Sequence, residues 1–226
     1  MSMAEEEDKL CTLVKIGDRR HIRAFFEQGE MYCQTIEHFA KLEDDQERGD
    51  ADEGLARTIP LAAITSLKIN GFEAVKDLAA GLDFRFNAHQ SLNLFCMTAI
   101  RALGPVEVDS RCKRFGDSFL LLARPALFVR RVTAAAKLAG LETISSPVEY
   151  VVKDKHVGDM GPFKKFDRLA HQSEFRFVFA PGLGKTMTLR LGSLRDIAVW
   201  GPLEDLPKFS IAPGPGYTSS IAAGGR

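Results

Sequence analysis

The sequence predicts an α+β fold, with mixed or antiparallel sheets flanked by helices. Three observations predict it. Many short segments have the composition and period of strands, a few helical segments are scattered among them, and no internal repeat organises the chain. At 226 residues, with 45% hydrophobic and 27% charged residues, the chain can bury a core without disulfides or metals. We expect one globular domain over 1–201 and a flexible tail over 202–226, where "PGPGYTSSIAAGGR" is rich in Gly, Pro and Ser.

The elements follow in order. "CTLVKI" (11–16) reads as a strand. Asp18 and Gly29 bracket a helix in which Ile22, Phe25 and Phe26 lie at helical spacing. "MYCQTI" (31–36) is a second strand, and "EHFAKLED" continues as a short helix before the acidic loop "DDQERGDADEG" (44–54). "AAITSLKIN" (62–70), "DFRFN" (83–87), "SLNLFCMTAI" (91–100) and "DSFLLLA" (117–123) read as strands. "RPALFVRRVTAAAKLAG" (124–140) is the clearest helix, with Pro125 near its start and Gly140 as its stop. "PVEYVVK" (147–153) is a strand and "GPFKKFDRLAHQ" (161–172) a short helix or turn. "EFRFVFA" and "TMTLRLG" read as the two arms of a hairpin, followed by a last strand "DIAVW" (196–200).

Several function classes fall away. No apolar run is long enough to span a membrane. The opening "MSMAEEEDKL" lacks the basic-then-apolar design of a signal peptide, and Cys11, Cys33, Cys96 and Cys112 are scattered, so reduced thiols in a cytoplasmic protein are expected. "GLGKT" (182–186) looks like the end of a phosphate-binding loop. The first Gly of that motif would fall on Phe179, and the following residues alternate like a strand, so the stretch reads as a turn. The histidines show no zinc spacing, and no G-x-S-x-G elbow is present.

Charge is unevenly spread. Residues 1–100 carry 11 Lys and Arg against 18 Asp and Glu, and residues 101–226 carry 19 against 12. The halves could form a cleft with walls of opposite sign, which suits a nucleotide, or pack on one another through complementary charge. In the acidic loop, Glu43, Asp44, Asp45, Glu47, Asp50, Asp52 and Glu53 do not match the calcium-loop spacing, and no metal is assigned. The loop reads as a solvated turn with one structured segment, Arg48-Gly49-Asp50 to Glu53-Gly54, from which Arg48 pairs with Asp50 or Glu53, or holds a phosphate. The basic stretch "RCKRFG" (111–116), with Arg124, Arg130 and Arg131, could touch nucleic acid or be a solvated face.

Strand alternation places Phe175, Phe177 and Phe179 on one face and Gln172, Glu174 and Arg176 on the other. A carboxylate between an amide and a guanidinium can stabilise a developing cation. The same pattern also fits an exposed Glu–Arg pair of little energetic weight.

"QSE" opening a late strand resembles the Q-x-E motif of ADP-ribosyltransferases. The N-terminal "TLVKI", "IRAFFEQGE" and "MYCQTI" are similar to the opening of that fold. The chain also resembles a broad set of bacterial proteins carrying G-x-x-Y, R-G-D-x-x-E-G and a late Q-x-E-F-R. The resemblance covers about a third of the chain. It implies an NAD-consuming enzyme, with Glu174 as the catalytic glutamate and Gln172 orienting the acceptor, a protein or a nucleic acid. It implies Tyr32 near nicotinamide, Gln34 or Thr35 at the ribose, and Lys15 among the groups that hold NAD; Arg48 and Arg176, read from the loop and the strand face, are further candidates for holding the cofactor. Domains of this kind are often toxins or phage-defence effectors. Lys15 stands where the family usually shows His or Arg, and the Ser-Thr-Ser triplet is absent. The alternative is a non-catalytic module of the same shape that binds a nucleotide, a nucleic acid or a protein.

Overall fold

The computed structural model describes residues 11–42, 49–73 and 78–212. It is an α+β fold in which one eight-stranded antiparallel sheet dominates. The chain enters with β1 (Thr12–Gly17), α1 (Arg19–Gln28), β2 (Glu30–Thr35) and α2 (Ile36–Ala40). β3 (Leu55–Ile59) and β4 (Leu82–Arg85) come next, then β5 (Asn93–Ile100), β6 (Ser118–Leu122) and α3 (Pro125–Leu138). The remainder comprises β7 (Glu142–Pro147), β8 (Glu149–Val151), β9 (Gly158–Asp159), β10 (Lys164–Phe166), β11 (Glu174–Ala180), β12 (Met187–Arg190) and β13 (Ala198–Pro202). The sheet runs β7-β11-β5-β1-β6-β13, and β2 joins it by pairing with both β5 and β12. A small sheet, β9-β3-β4, and a parallel pair, β8-β10, lie outside it.

One face of the large sheet buries Leu13, Phe95, Met97, Leu120, Phe175, Phe177 and Phe179 against α1 and α3. The helices answer with Ile22 and Phe25, and with Phe128, Val132 and Ala136, at the spacings that put each set on one helix face. Phe177 meets Phe128 and Phe175 edge-on, the geometry aromatic quadrupoles favour. The other face has two apolar clusters. Val14, Ile16, Ile100, Phe119 and Leu121 form one, and Leu94, Val178 and Ile36 the other.

β5 is the pivot. Along one side it pairs continuously with β11, from Asn93↔Phe179 to Thr98↔Glu174. Along the other side its first residues pair with β2, at Leu94↔Gln34, and its last with β1, at Thr98↔Val14. β1 and β2 therefore diverge, and residues 95–97 have no strand register partner on that side among the described residues. The sheet is split there, and the split becomes the cleft described below.

The structure corrects the sequence reading in four places. β11 and β12 are not a hairpin: β11 has both edges filled, by β7 and β5, so β12 must pair elsewhere and joins β2. Asn93 ties down the crossing loop, accepting the Leu183 N–H at 3.0 Å and donating to the Lys185 carbonyl at 2.7 Å. The expected strand 62–70 is a 3-10 turn at Leu61–Ala63 and a two-residue ladder at Lys68–Ile69. The stretch 161–172, expected as a short helix or turn, does hold a short 3-10 helix at Asp167–Gln172, but the strand β10 precedes it. Residues 202–212, read from the sequence as the start of a flexible tail, are built into the fold: Leu203–Lys208 is a 3-10 helix with Leu206 buried, and Ser210–Ile211 pairs with Gly104–Pro105. The rest of that tail, 213–226, lies outside the described residues. No helix among the described residues is long and apolar enough to cross a membrane.

Gly29 caps α1 in the left-handed region, and a Cβ there would sit 2.1 Å from the Gly192 carbonyl oxygen. Gly140, at φ +73 after α3, has nothing within 4 Å of its Cβ position. Both substitutions to Ala incur the left-handed backbone cost, about 1–2 kcal/mol. Gly29→Ala must also move the Gly192 backbone. Urea unfolding should show Gly140→Ala losing about 1 kcal/mol and Gly29→Ala clearly more.

A split-sheet cleft around a buried ion network

The gap between β1 and β2 opens into a cleft of about 430 Å³, within the size range of small-molecule sites. Its lining comes from both faces of the sheet. Phe25, Phe95 and Met97 belong to the helical side, and Cys96, Thr98, Glu174 and Arg176 to the other. Lys15 sits in the split itself, half-buried. Its Nζ donates to the Cys96 carbonyl at 2.8 Å and lies 4.7 Å from the Phe95 ring centroid. The side chain thereby satisfies a strand carbonyl at the place where β5 lacks a neighbouring strand.

At the mouth, Tyr32 is 55% exposed, and its ring lies parallel to that of His21, 6° apart with centroids 6.4 Å from each other. Gln34, two residues along β2, points the same way. Its Nε2 donates to the Tyr32 hydroxyl at 3.4 Å, and its Oε1 accepts from Thr186 at 2.7 Å. Thr35 faces away from them, as strand alternation requires, and is buried. Its hydroxyl accepts the His38 N–H at 3.1 Å and caps α2, so it is a capping residue and does not line the cleft.

At the back stands a buried ion network. Glu174 is 9% exposed and Arg176 1% exposed. Arg176 Nε donates to Glu174 Oε2 at 2.6 Å, and its terminal nitrogens form a fork with Glu53, at 2.8 and 2.6 Å. It also donates to the Pro162 carbonyl at 2.7 Å. Lys165 donates to the other oxygen of Glu174 at 2.7 Å and to the Gln172 side-chain amide oxygen at 3.2 Å. Asp50 and Glu53 each stand 3.8 Å from Lys165, and Arg168 closes on Asp50 from the half-exposed side. Tyr150 fixes the backbone, its hydroxyl accepting the Glu174 N–H at 2.9 Å.

Gln172 reaches this network by a route different from the expected one. It ends a 3-10 helix and is not part of the strand, which starts at Glu174. Ser173 between them adopts φ 44, ψ 49, the left-handed region, and turns both side chains onto Lys165. The described part of the acidic loop, 49–54, is the segment expected to be structured, and it is largely buried and ion-paired. Asp50 and Glu53 are each 3% exposed, and their partners are Arg168, Lys165 and Arg176. Arg48 lies outside the described residues.

The cleft therefore brings together Lys15, Tyr32, Gln34, Gln172, Glu174 and Arg176. Sequence reasoning missed Lys165, Asp50 and Glu53 as members of this constellation. The one signal for them was the unmatched excess of acid in the first hundred residues and of base in the rest.

Burial by itself would raise the Glu174 carboxyl. The charges of Arg176 and Lys165 outweigh it and hold the group well below the usual carboxylate range. Asp50 moves the other way, raised by burial and further by Glu53, with Lys165 and Arg168 opposing. Burial would lower Lys165, but Glu174, with Glu53 and Asp50 behind it, keeps it protonated and raises it. Chemically, the site can hold a polar ring at its mouth over a rigid, charge-compensated floor. Glu174 stays ionised, with each carboxylate oxygen already occupied by a cation.

Glu174→Gln leaves Lys165 and Arg176 short of one buried counter-charge, and we expect a loss of about 3 kcal/mol in urea unfolding near neutral pH. Glu174 binds its proton less readily in the folded chain than in the unfolded one. Its contribution is therefore complete above the ordinary glutamate pKa, about 4.3, and is lost as the pH falls below it. The gap between wild type and Glu174→Gln should be level above about pH 5 and shrink below about pH 4. A gap unchanged down to pH 3 would contradict this assignment.

No protein family, no curated protein and no solved structure matches the chain.

Proposed function

We propose that the protein is a binding module whose split-sheet cleft takes a ring-bearing ligand of the nucleoside and nucleotide class without cleaving it. One observation carries the reading. The carboxylate that would do chemistry lines the same cleft as Tyr32, Gln34 and Lys15, yet both its oxygens are bonded to buried cations. A carboxylate stabilises a developing cation through uncompensated negative charge aimed at the reacting atom. Here Arg176 and Lys165 absorb that charge. What the cleft keeps open is recognition: an exposed Tyr32 ring face backed by His21, with the Gln34 amide beside it.

The second reading is the NAD-consuming transferase that the Q-x-E resemblance implies, acting on a protein or nucleic-acid acceptor as a toxin or phage-defence effector. It is favoured by Glu174 and Gln172 lining one cleft with Tyr32 and Gln34, and by a Glu174 carboxyl that stays ionised.

Two measurements separate the readings. Calorimetry with nicotinamide riboside and adenosine should show binding that Tyr32→Ala weakens about tenfold, the effect of losing one stacking platform. Incubation of the purified protein with NAD and bacterial lysate should release no nicotinamide. Release by wild type that vanishes in Glu174→Gln would establish the transferase and overturn the binding-only account.

A further inference from the structure

The charge lining the cleft restricts its ligand further. Resting on the nucleoside and nucleotide reading above, we propose that the cleft selects uncharged or cationic nucleosides and rejects their phosphorylated forms. Among the described residues, three cations line it, Lys15, Lys165 and Arg176, against four carboxylates, Asp18, Glu30, Glu53 and Glu174, of which Glu30 is paired with Arg190 at 2.9 Å. The wall therefore offers a phosphate no surplus of positive charge. A phosphate group brings about 1.5–2 further negative charges near neutral pH, and a diphosphate bridge two.

The cations are also committed. Arg176 spends its guanidinium on Glu53, Glu174 and the Pro162 carbonyl. Lys165 is held by Glu174 and Gln172, with Asp50 and Glu53 next to it. Lys15 is engaged by the Cys96 carbonyl and the Phe95 ring. The start of α1, which also borders the cleft, would attract an anion, but its first N–H already donates to the Asp117 carboxylate at 2.9 Å. On the opposite side of the balance, the mouth offers what a cationic ring needs: the exposed face of Tyr32 and the largely exposed carboxylate of Asp18.

Nicotinamide riboside and nicotinamide mononucleotide form a matched pair that differs by one phosphate. In calorimetry on the full chain at low salt, the riboside should bind about tenfold more tightly. The gap should narrow as salt is raised to 0.5 M, because screening removes the repulsion. Asp18→Asn should narrow it by about two- to threefold, the scale of an exposed charge. A mononucleotide that binds as tightly as the riboside, or more tightly, overturns the selectivity. If Tyr32→Ala then still weakens both, the cleft remains the binding site. A gap that salt and Asp18→Asn both leave unchanged shows that charge is not its cause and also overturns the proposal. Binding of neither ligand removes the nucleoside reading itself.

Discussion

Arg176 carries a full charge at 1% exposure, and much of the structure answers to that fact. Taking a guanidinium out of water costs several kcal/mol unless its donors are met by well-placed acceptors. β11 supplies one from its own strand, Glu174, two residues away on the same face. The rest must come from far along the chain. Glu53 arrives just ahead of β3, and Pro162 from the segment ahead of β10. The second buried cation, Lys165, then neutralises the other oxygen of Glu174 and draws in Asp50. The ion network is thus the clasp that fastens the small β9-β3-β4 sheet and the β8-β10 pair onto the large sheet. It occupies the polar gap between the two apolar clusters of that face.

The same face explains the cleft. β5 must pair with β11 along its length, because that pairing aligns Cys96 with Arg176 and Thr98 with Glu174. On its other edge, β1 and β2 each claim one end. The middle of β5 is left to a lysine side chain, and the opening beside it reaches from the aromatic core to the ion network. A site built this way has a rigid floor and a permissive mouth. Tyr32 and His21 stand at that mouth, where a ligand ring can reach them. Both oxygens of the buried Glu174 carboxylate are taken by Lys165 and Arg176.

Much of this was legible in the sequence where one periodicity ruled. The Phe175, Phe177, Phe179 alternation placed β11, and the Ile22, Phe25 spacing with Asp18 and Gly29 placed α1. Tyr32 and Gln34 enter through the resemblance, and β2 puts both on one face. Thr35 enters through the resemblance as an alternative to Gln34; strand alternation turns it away from Tyr32, and its hydroxyl caps α2. The hairpin of β11 with β12 failed because sequence proximity says nothing about edges already filled by β5 and β7. The ion network was invisible for a related reason. Lys165 sits in a stretch that reads as a short helix or turn, and Asp50 and Glu53 in a loop segment whose expected partner is Arg48. Only the fold shows that they meet.

If a ring-bearing ligand enters the split between β1 and β2, an amide-resolved NMR titration of the full chain with nicotinamide riboside should show shifts concentrated at Tyr32, Gln34 and residues 94–98, with β13 unmoved. Shifts confined to residues outside the cleft, or none at saturating ligand, would contradict that entry.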